Sequence, residues 1–153
     1  MKFRTPLFCC LTALLLSTTA IAQSRGFGLG IIAGQPTGIS GKFWTGPKTG
    51  IDLAAAWSVE KHQSFECHAD YLIHDFGVFK VDKGKMPLYY GVGGRLVDAD
   101  DDTHIGVRVP VGINYIFATA PLDLFVEVAP TLDLAPDTDL NVEGGIGIRF
   151  WFR

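Results

Sequence analysis

Apolar residues fall at every second position over eight stretches of the chain, each closed by glycine, proline, asparagine or aspartate. A period of two marks a strand whose two faces meet different surroundings. In the first stretch, Gly26 to Gly34, Phe27, Leu29, Ile31 and Ala33 alternate with Gly28, Gly30 and Ile32, and Gln35-Pro36-Thr37-Gly38 turns the chain. The second sets Ile39, Gly41 and Phe43 against Ser40, Lys42 and Trp44. The third sets Ile51, Leu53, Ala55, Trp57 and Val59 against Asp52, Ala54, Ala56 and Ser58. The fourth interleaves Phe65, Cys67, Ala69, Tyr71 and Ile73 with Glu66, His68, Asp70, Leu72 and His74. After Pro87 the fifth opposes Leu88, Tyr90, Val92, Gly94 and Leu96 to Tyr89, Gly91, Gly93, Arg95 and Val97. The sixth, Ile105 to Phe117, is long. The seventh runs from Leu122 to Asp133 and the eighth from Leu140 to Phe152. Glycine and proline interrupt the chain too often for a helix template of useful length.

Alternation of this kind is shared by barrels that fill their interior with apolar side chains and barrels that turn those side chains outward to lipid. The second face decides between them. It carries Gly28, Gly30, Gly91, Gly93, Gly106, Gly112, Gly145 and Gly147. Glycine weakens a strand and gains nothing on a solvated surface, but it makes room inside a narrow barrel, where side-chain volume is limiting. The same face carries both signs of charge. Asp52, Glu66, Asp70, Asp123, Glu127 and Glu143 are placed to pair with Lys42, Arg95, Arg108 and Arg149, and buried charges persist only when paired. The apolar face is extreme in the opposite sense: Val107, Val109, Val111 and Ile113 in one row would be an aggregation hazard in water. Trp57, Tyr71, Tyr90 and Tyr115 suit interfacial aromatic girdles. The expected fold is therefore all-β, an eight-stranded antiparallel up-and-down transmembrane β-barrel with a packed polar interior and no open pore.

The N-terminus changes the picture of where such a barrel resides. Lys2 and Arg4 precede a short apolar run, Leu7 to Leu16, and Ala20-Ile21-Ala22 supplies a small-x-small cleavage site. Residues 1–22 are expected to be a cleaved signal peptide and residues 23–153 the barrel domain. The run is too short for a spanning helix, which needs roughly 20 apolar residues. Cys9 and Cys10 fall in the leader, too early for lipidation, and Cys67 alone remains after cleavage, so no intramolecular disulfide is available. Losing Lys2 and Arg4 leaves 11 basic residues against 16 acidic ones. No basic patch remains to displace counterions from phosphates, which argues against nucleic acid as a partner.

At the C-terminus Gly147, Phe150 and Phe152 resemble the signal by which bacterial barrel proteins are received by the outer-membrane assembly machinery, a glycine followed by two aromatics one residue apart. Gly145 replaces the usual polar residue and Arg153 follows the last aromatic. Beyond this, Pro87-Leu88-Tyr89-Tyr90-Gly91-Val92-Gly93-Gly94-Arg95, Gly106 to Gly112, Pro121 to Pro130 and the terminal segment look like a family of short bacterial outer-membrane barrels, over about the last 70 residues. The resemblance implies an architecture similar to the small OmpA-like and OmpX-like barrels and a place in the outer membrane. Lipid, lipopolysaccharide and the assembly machinery are the partners it implies. It implies no activity.

Candidate chemistry is sparse. His62-Gln63-Ser64 with Glu66 nearby superficially resembles the His-x-Ser of outer-membrane lipid A deacylases, where histidine acts as base to a serine nucleophile. Its position early in the chain, at the edge of a loop, favours a polar hairpin end. Asp98, Asp100 and Asp102 have the first spacing of a calcium loop, but Thr103 and Val109 stand where its glycine and bidentate acid belong. His68 and His74 lie on one face about 20 Å apart, too far to share a metal ion, and are read as members of the interior network. No metal and no cofactor is expected. Three functions remain: a structural or interaction protein of the outer membrane without catalysis, a lipid-modifying enzyme, and a soluble periplasmic ligand-binding barrel. One connection, Asp75 to Lys85, is longer than a periplasmic turn should be; Phe76, Val78, Phe79 and Val81 suggest a hairpin continued beyond the wall.

Overall fold

The computed structural model describes residues 26–58 and 64–152; the expected leader, residues 1–22, and His62 lie outside them. Every regular element among the described residues is a strand: β1 Phe27–Gly34, β2 Gly38–Trp44, β3 Thr49–Ser58, β4 Ser64–Asp75, β5 Leu88–Ala99, β6 Asp102–Arg108, β7 Val111–Ile116, β8 Leu122–Ala135 and β9 Asp139–Phe152. All pairings are antiparallel. β1 pairs with β9 from Phe27↔Phe152 to Gly34↔Gly145, which closes the sheet into a ring. A closed ring has no edge strand, so its backbone groups are satisfied within the wall.

Among the described residues the strands number nine, not the eight expected. The sixth stretch breaks at Val109–Pro110, because proline lacks the N–H that a central strand must donate. β6 and β7 both lie between β5 and β8, so two half-strands share one position in the ring. The chain stays in line there: Gly91 N donates to Pro110 O at 3.0 Å, and Val109 N donates to Pro130 O at 2.9 Å. In each of these pairs the return bond has no donor, since Pro110 and Pro130 have no N–H. Higher on the same seam the register steps, with Ile105 opposite Ala135 but Gly106 opposite Asp133, a bulge in β8. The β5–β6 connection is a two-residue turn with Asp100 and Asp101 at φ 47° and 73°, the positive-φ pair that suits a right-twisted hairpin.

The two faces separate sharply. Ile31 is 61% exposed and Ile32, its chain neighbour, 5%. Val107, Val109 and Val111 point outward, whereas Arg108 and Glu127 are buried inside. The inward glycines are seats for large side chains on the next strand. A Cβ on Gly147 would stand 2.3 Å from the Phe125 ring, one on Gly112 2.4 Å from Tyr89, and one on Gly28 3.0 Å from the Trp151 indole. Ile32, Ala54, Leu72, Tyr89 and Phe125 form the apolar share of the interior.

The mouth beside both ends of the ring holds the long connection. β4 stops at Asp75, and residues 76–84 do not continue it. Only residues 85–87 extend the ladder, and they do so against β7: Lys85 and Ile116 exchange bonds of 3.0 and 2.7 Å, and Asn114 N donates to Pro87 O at 3.0 Å. The expected hairpin extension through Phe76, Val78, Phe79 and Val81 is thus replaced by a fold-over. Gly84, at φ 74°, turns the chain where a side chain would meet Ile116 O at 2.3 Å. Phe76 reaches back to the Trp44 and His74 rings, at centroid distances of 6.3 and 6.5 Å.

Candidate functional site

The interior is organised around three guanidinium groups, each brought in by a strand position whose neighbours along the chain face outward. Arg149 on β9 is fully buried. Its Nε donates to Asp123 on β8 at 3.0 Å, and its Nη1 reaches both oxygens of Asp52 on β3, across the barrel, at 3.0 Å. The Trp151 indole N–H donates to the second oxygen of Asp123 at 2.9 Å, and Arg149 lies 4.1 Å over the Phe125 ring. The Asp123 carboxylate is thereby held by two donors from one strand, which ties β8 to β9 inside the wall as well as along it.

Arg108, at the end of β6, is the second centre. Its guanidinium contacts Glu127 and His68, lies 3.2 Å from Glu143 Oε2, and has Nε 3.2 Å from Asp70 Oδ2. That last contact is misaligned for a hydrogen bond and acts through charge alone. Tyr89 donates its hydroxyl to Glu127 Oε2 at 2.9 Å. Arg95 is the third centre. It grips Asp133 bidentately at 3.1 and 2.8 Å, contacts Glu143, and stands 3.7 Å from Glu66. Asn141 adds a bond to Asp133 at 3.1 Å. Glu143 therefore bridges Arg95 and Arg108, and the two groups form one network.

Lys42 is buried at the mouth beside the chain ends. Its ammonium meets His74 Nε2 at 2.7 Å and lies 5.1 and 5.0 Å over the Trp44 and Tyr89 rings. His74 Nδ1 faces Lys48 O at 3.1 Å. Trp44 stacks with Trp151 at 6.2 Å and His74 meets Tyr89 in a tilted contact at 5.5 Å, so aromatic rings with Phe76 fill this end of the lumen. His68, Asp70 and Glu127 bring ligand-type atoms within 4.8 Å of one another. The Arg108 guanidinium contacts all three, and a cation already occupies their focus.

Of the ten residues expected in the interior network, Lys42, Asp52, Asp70, Arg108, Asp123, Glu127, Glu143 and Arg149 are buried, while Glu66 and Arg95 are half-buried. Gly147 sits in the wall under Phe125; Phe150 and Phe152 face outward, edge to face at 5.1 Å. His68 and His74 belong to separate centres, with Arg108 and with Lys42. Asp133, Tyr89 and Asn141 were not among the expected site residues. Their inward phase in the alternation was visible, but nothing in the spacing marks the Arg95 partner. Ser64 opens β4 opposite Ser58 and Ala99, and the Glu66 carboxylate nearest it is turned toward Arg95.

Fold and interior together define a small closed antiparallel barrel with ion-paired contents. Among solved structures, the N-terminal β-barrel domain of Pseudomonas aeruginosa OprF is similar to it, with a TM-score of 0.57 over 84% of this chain and 96% of that domain, at 12% identity. Likeness at that identity speaks for the fold, and it matches the OmpA-like architecture implied by the sequence. No family model and no curated protein matches the chain.

Proposed function

We propose that the chain is a small outer-membrane β-barrel with a structural or interaction role and no catalysis, exported by cleavage after Ala22. The observation that carries this reading is the inverted polarity of the wall. Among the described residues, 26 large apolar side chains are exposed, all but Val78 on the outside of the wall, while the inside holds paired ions. Each such side chain left in water forgoes about 1.5–3 kcal/mol of burial, and a continuous apolar surface of this kind exceeds anything a soluble monomer tolerates. Acyl chains supply the missing cover. The OprF barrel supports the same location. Outer-membrane lipid and lipopolysaccharide are then the permanent surroundings, and the assembly machinery is the partner during biogenesis, addressed through Gly147, Phe150 and Phe152. Nucleic acid is not a partner in this reading.

Fractionation of cells expressing the full chain tests the reading. The mature protein, beginning at Gln23, is expected in the outer-membrane fraction, soluble only with detergent, and migrating differently on gels before and after boiling. Recovery in the periplasmic extract without detergent would reject it in favour of a soluble ligand-binding barrel. Lipid A of unchanged composition in cells carrying the protein or its Ser64→Ala variant is the expected outcome for a non-enzyme.

A further inference from the structure

The two mouths of the barrel differ in charge. The mouth away from the chain ends is bordered by Asp98, Asp100, Asp101, Asp102, Asp137 and Asp139, with no lysine or arginine among its described residues. The mouth beside the chain ends carries Lys48, Lys80, Lys83 and Lys85, all exposed, against Asp75 and Asp82. Asp75 is turned to its own loop, accepting a bond from Gly77 N at 2.8 Å.

Three of the four are tied through their backbones, and the Lys85 ammonium lies 5.8 Å over the Phe76 ring. The Tyr115 hydroxyl donates to Lys83 O at 3.0 Å, the Lys85 backbone is locked to Ile116, and Lys48 O receives the His74 amide at 2.7 Å. The fold-over of residues 76–84, with Lys85 after it and Lys48 beside it, thus forms a lysine-bearing flap against the ends of β4 and β7. Next to it, on the outer wall, stand Tyr90 and the edge-to-face pair of Tyr115 and Phe117 at 4.9 Å; across the ring, at the same mouth, Phe27 and Phe152 stack at 6.4 Å. An aromatic rim with lysines beyond it is the arrangement that fits the headgroup layer. Val78, 49% exposed within the flap, is suited to a bilayer interface and has no use against a polar, acidic macromolecule.

We propose that this flap is a docking surface for the anionic phosphodiester headgroups of glycerophospholipids in the leaflet at that mouth. The inference rests on the membrane reading above. It adds a lipid preference and a fixed orientation, with the acidic mouth turned to the opposite leaflet. Lysines close to an anionic lipid surface each strengthen association about fivefold, an effect that falls off within a Debye length.

The test uses the full mature chain folded into phosphatidylcholine vesicles with and without phosphatidylglycerol. It is then extracted in mild detergent, and the lipid retained per barrel is counted. Retained phosphatidylglycerol is expected to be enriched about tenfold or more over its bulk fraction. The enrichment should collapse in the K80Q/K83Q/K85Q protein and at high salt, and should survive in D137N/D139N at the other mouth. Retention at the bulk ratio, or enrichment indifferent to salt, overturns the proposal. The salt measurement needs only the natural protein, so the proposal stays open to refutation even where the triple variant does not fold. A chain that enters neither kind of vesicle overturns the membrane reading instead, whereas one that enters both with bulk lipid overturns only the docking surface.

Discussion

Arg149→Met removes the cation that holds Asp52 and Asp123 together, and the structure sets the size of the effect. Breaking a buried ion pair by deleting one partner costs about 3–5 kcal/mol, because a charge is left buried without compensation. Here two carboxylates are left. Each keeps some support: Asp123 still accepts the Trp151 indole N–H, and Lys42 lies opposite Asp52 on the neighbouring strand. Those contacts place the ionic loss near the lower end of the range. The contact of the guanidinium with the Phe125 face adds about 1 kcal/mol. Together the loss is about 4 kcal/mol, to be read as a lowered midpoint in equilibrium urea unfolding of the protein in vesicles. The double change R149M/D123N leaves Asp52 opposite Lys42 and no charge orphaned, and is expected to recover at least half of the loss, since apolar or neutral replacements of buried ion pairs are often close to neutral. A cost below about 1 kcal/mol for the single change, or no recovery in the double, would refute the view that these ions are held by mutual pairing in a dry lumen.

Three further changes probe the glycine seats, the outer wall and the interior hydrogen bonds in turn. Gly147→Leu drives a side chain into the Phe125 ring and should cost about 1–3 kcal/mol by overpacking, with Phe125→Ala restoring part of it; additive costs would contradict the glycine-seat explanation. Val107→Arg places a charge on the outer wall. It should cost about 2–4 kcal/mol in vesicles, while a soluble barrel would register within about 0.5 kcal/mol. Tyr89→Phe removes the donor to Glu127 and should cost about 1 kcal/mol, again by urea midpoint, with no change in the gel shift that reports closure of the barrel.

The alternation placed the strands to within a few residues, with β6 and β7 as one stretch, and sorted the side chains into two faces, because a period of two leaves no freedom within a strand; the glycines and opposed charges of one face said which pointed inward. Ile32 among glycines and Leu72 between histidines were legible as interior for that reason. The count of strands was not, since Pro110 falls in phase with its neighbours and only its missing N–H splits the stretch. Pairing inside the barrel was legible as composition and not as geometry. Arg149 meets Asp52 across the lumen because of how the ring closes, and Arg95 meets Asp133 because of the register around a bulge. Neither relation exists at the level of a single strand. The fold-over of Phe76 was hidden as well. Its neighbours Val78, Phe79 and Val81 continue a strand-like rhythm, and it is the ring cluster beneath that draws the chain inward.

Pro110 lies in the stave that β6 and β7 share, and Pro130 faces that stave from β8. At that height the short run formed by β6 and β7 has only half of its usual tether to β5 and to β8. Thermal fluctuations that begin to unseat the cylinder should therefore start between Arg108 and Val111. The lower half-strand would part from the upper, as a mended plank separates at its joint before any whole plank lifts away.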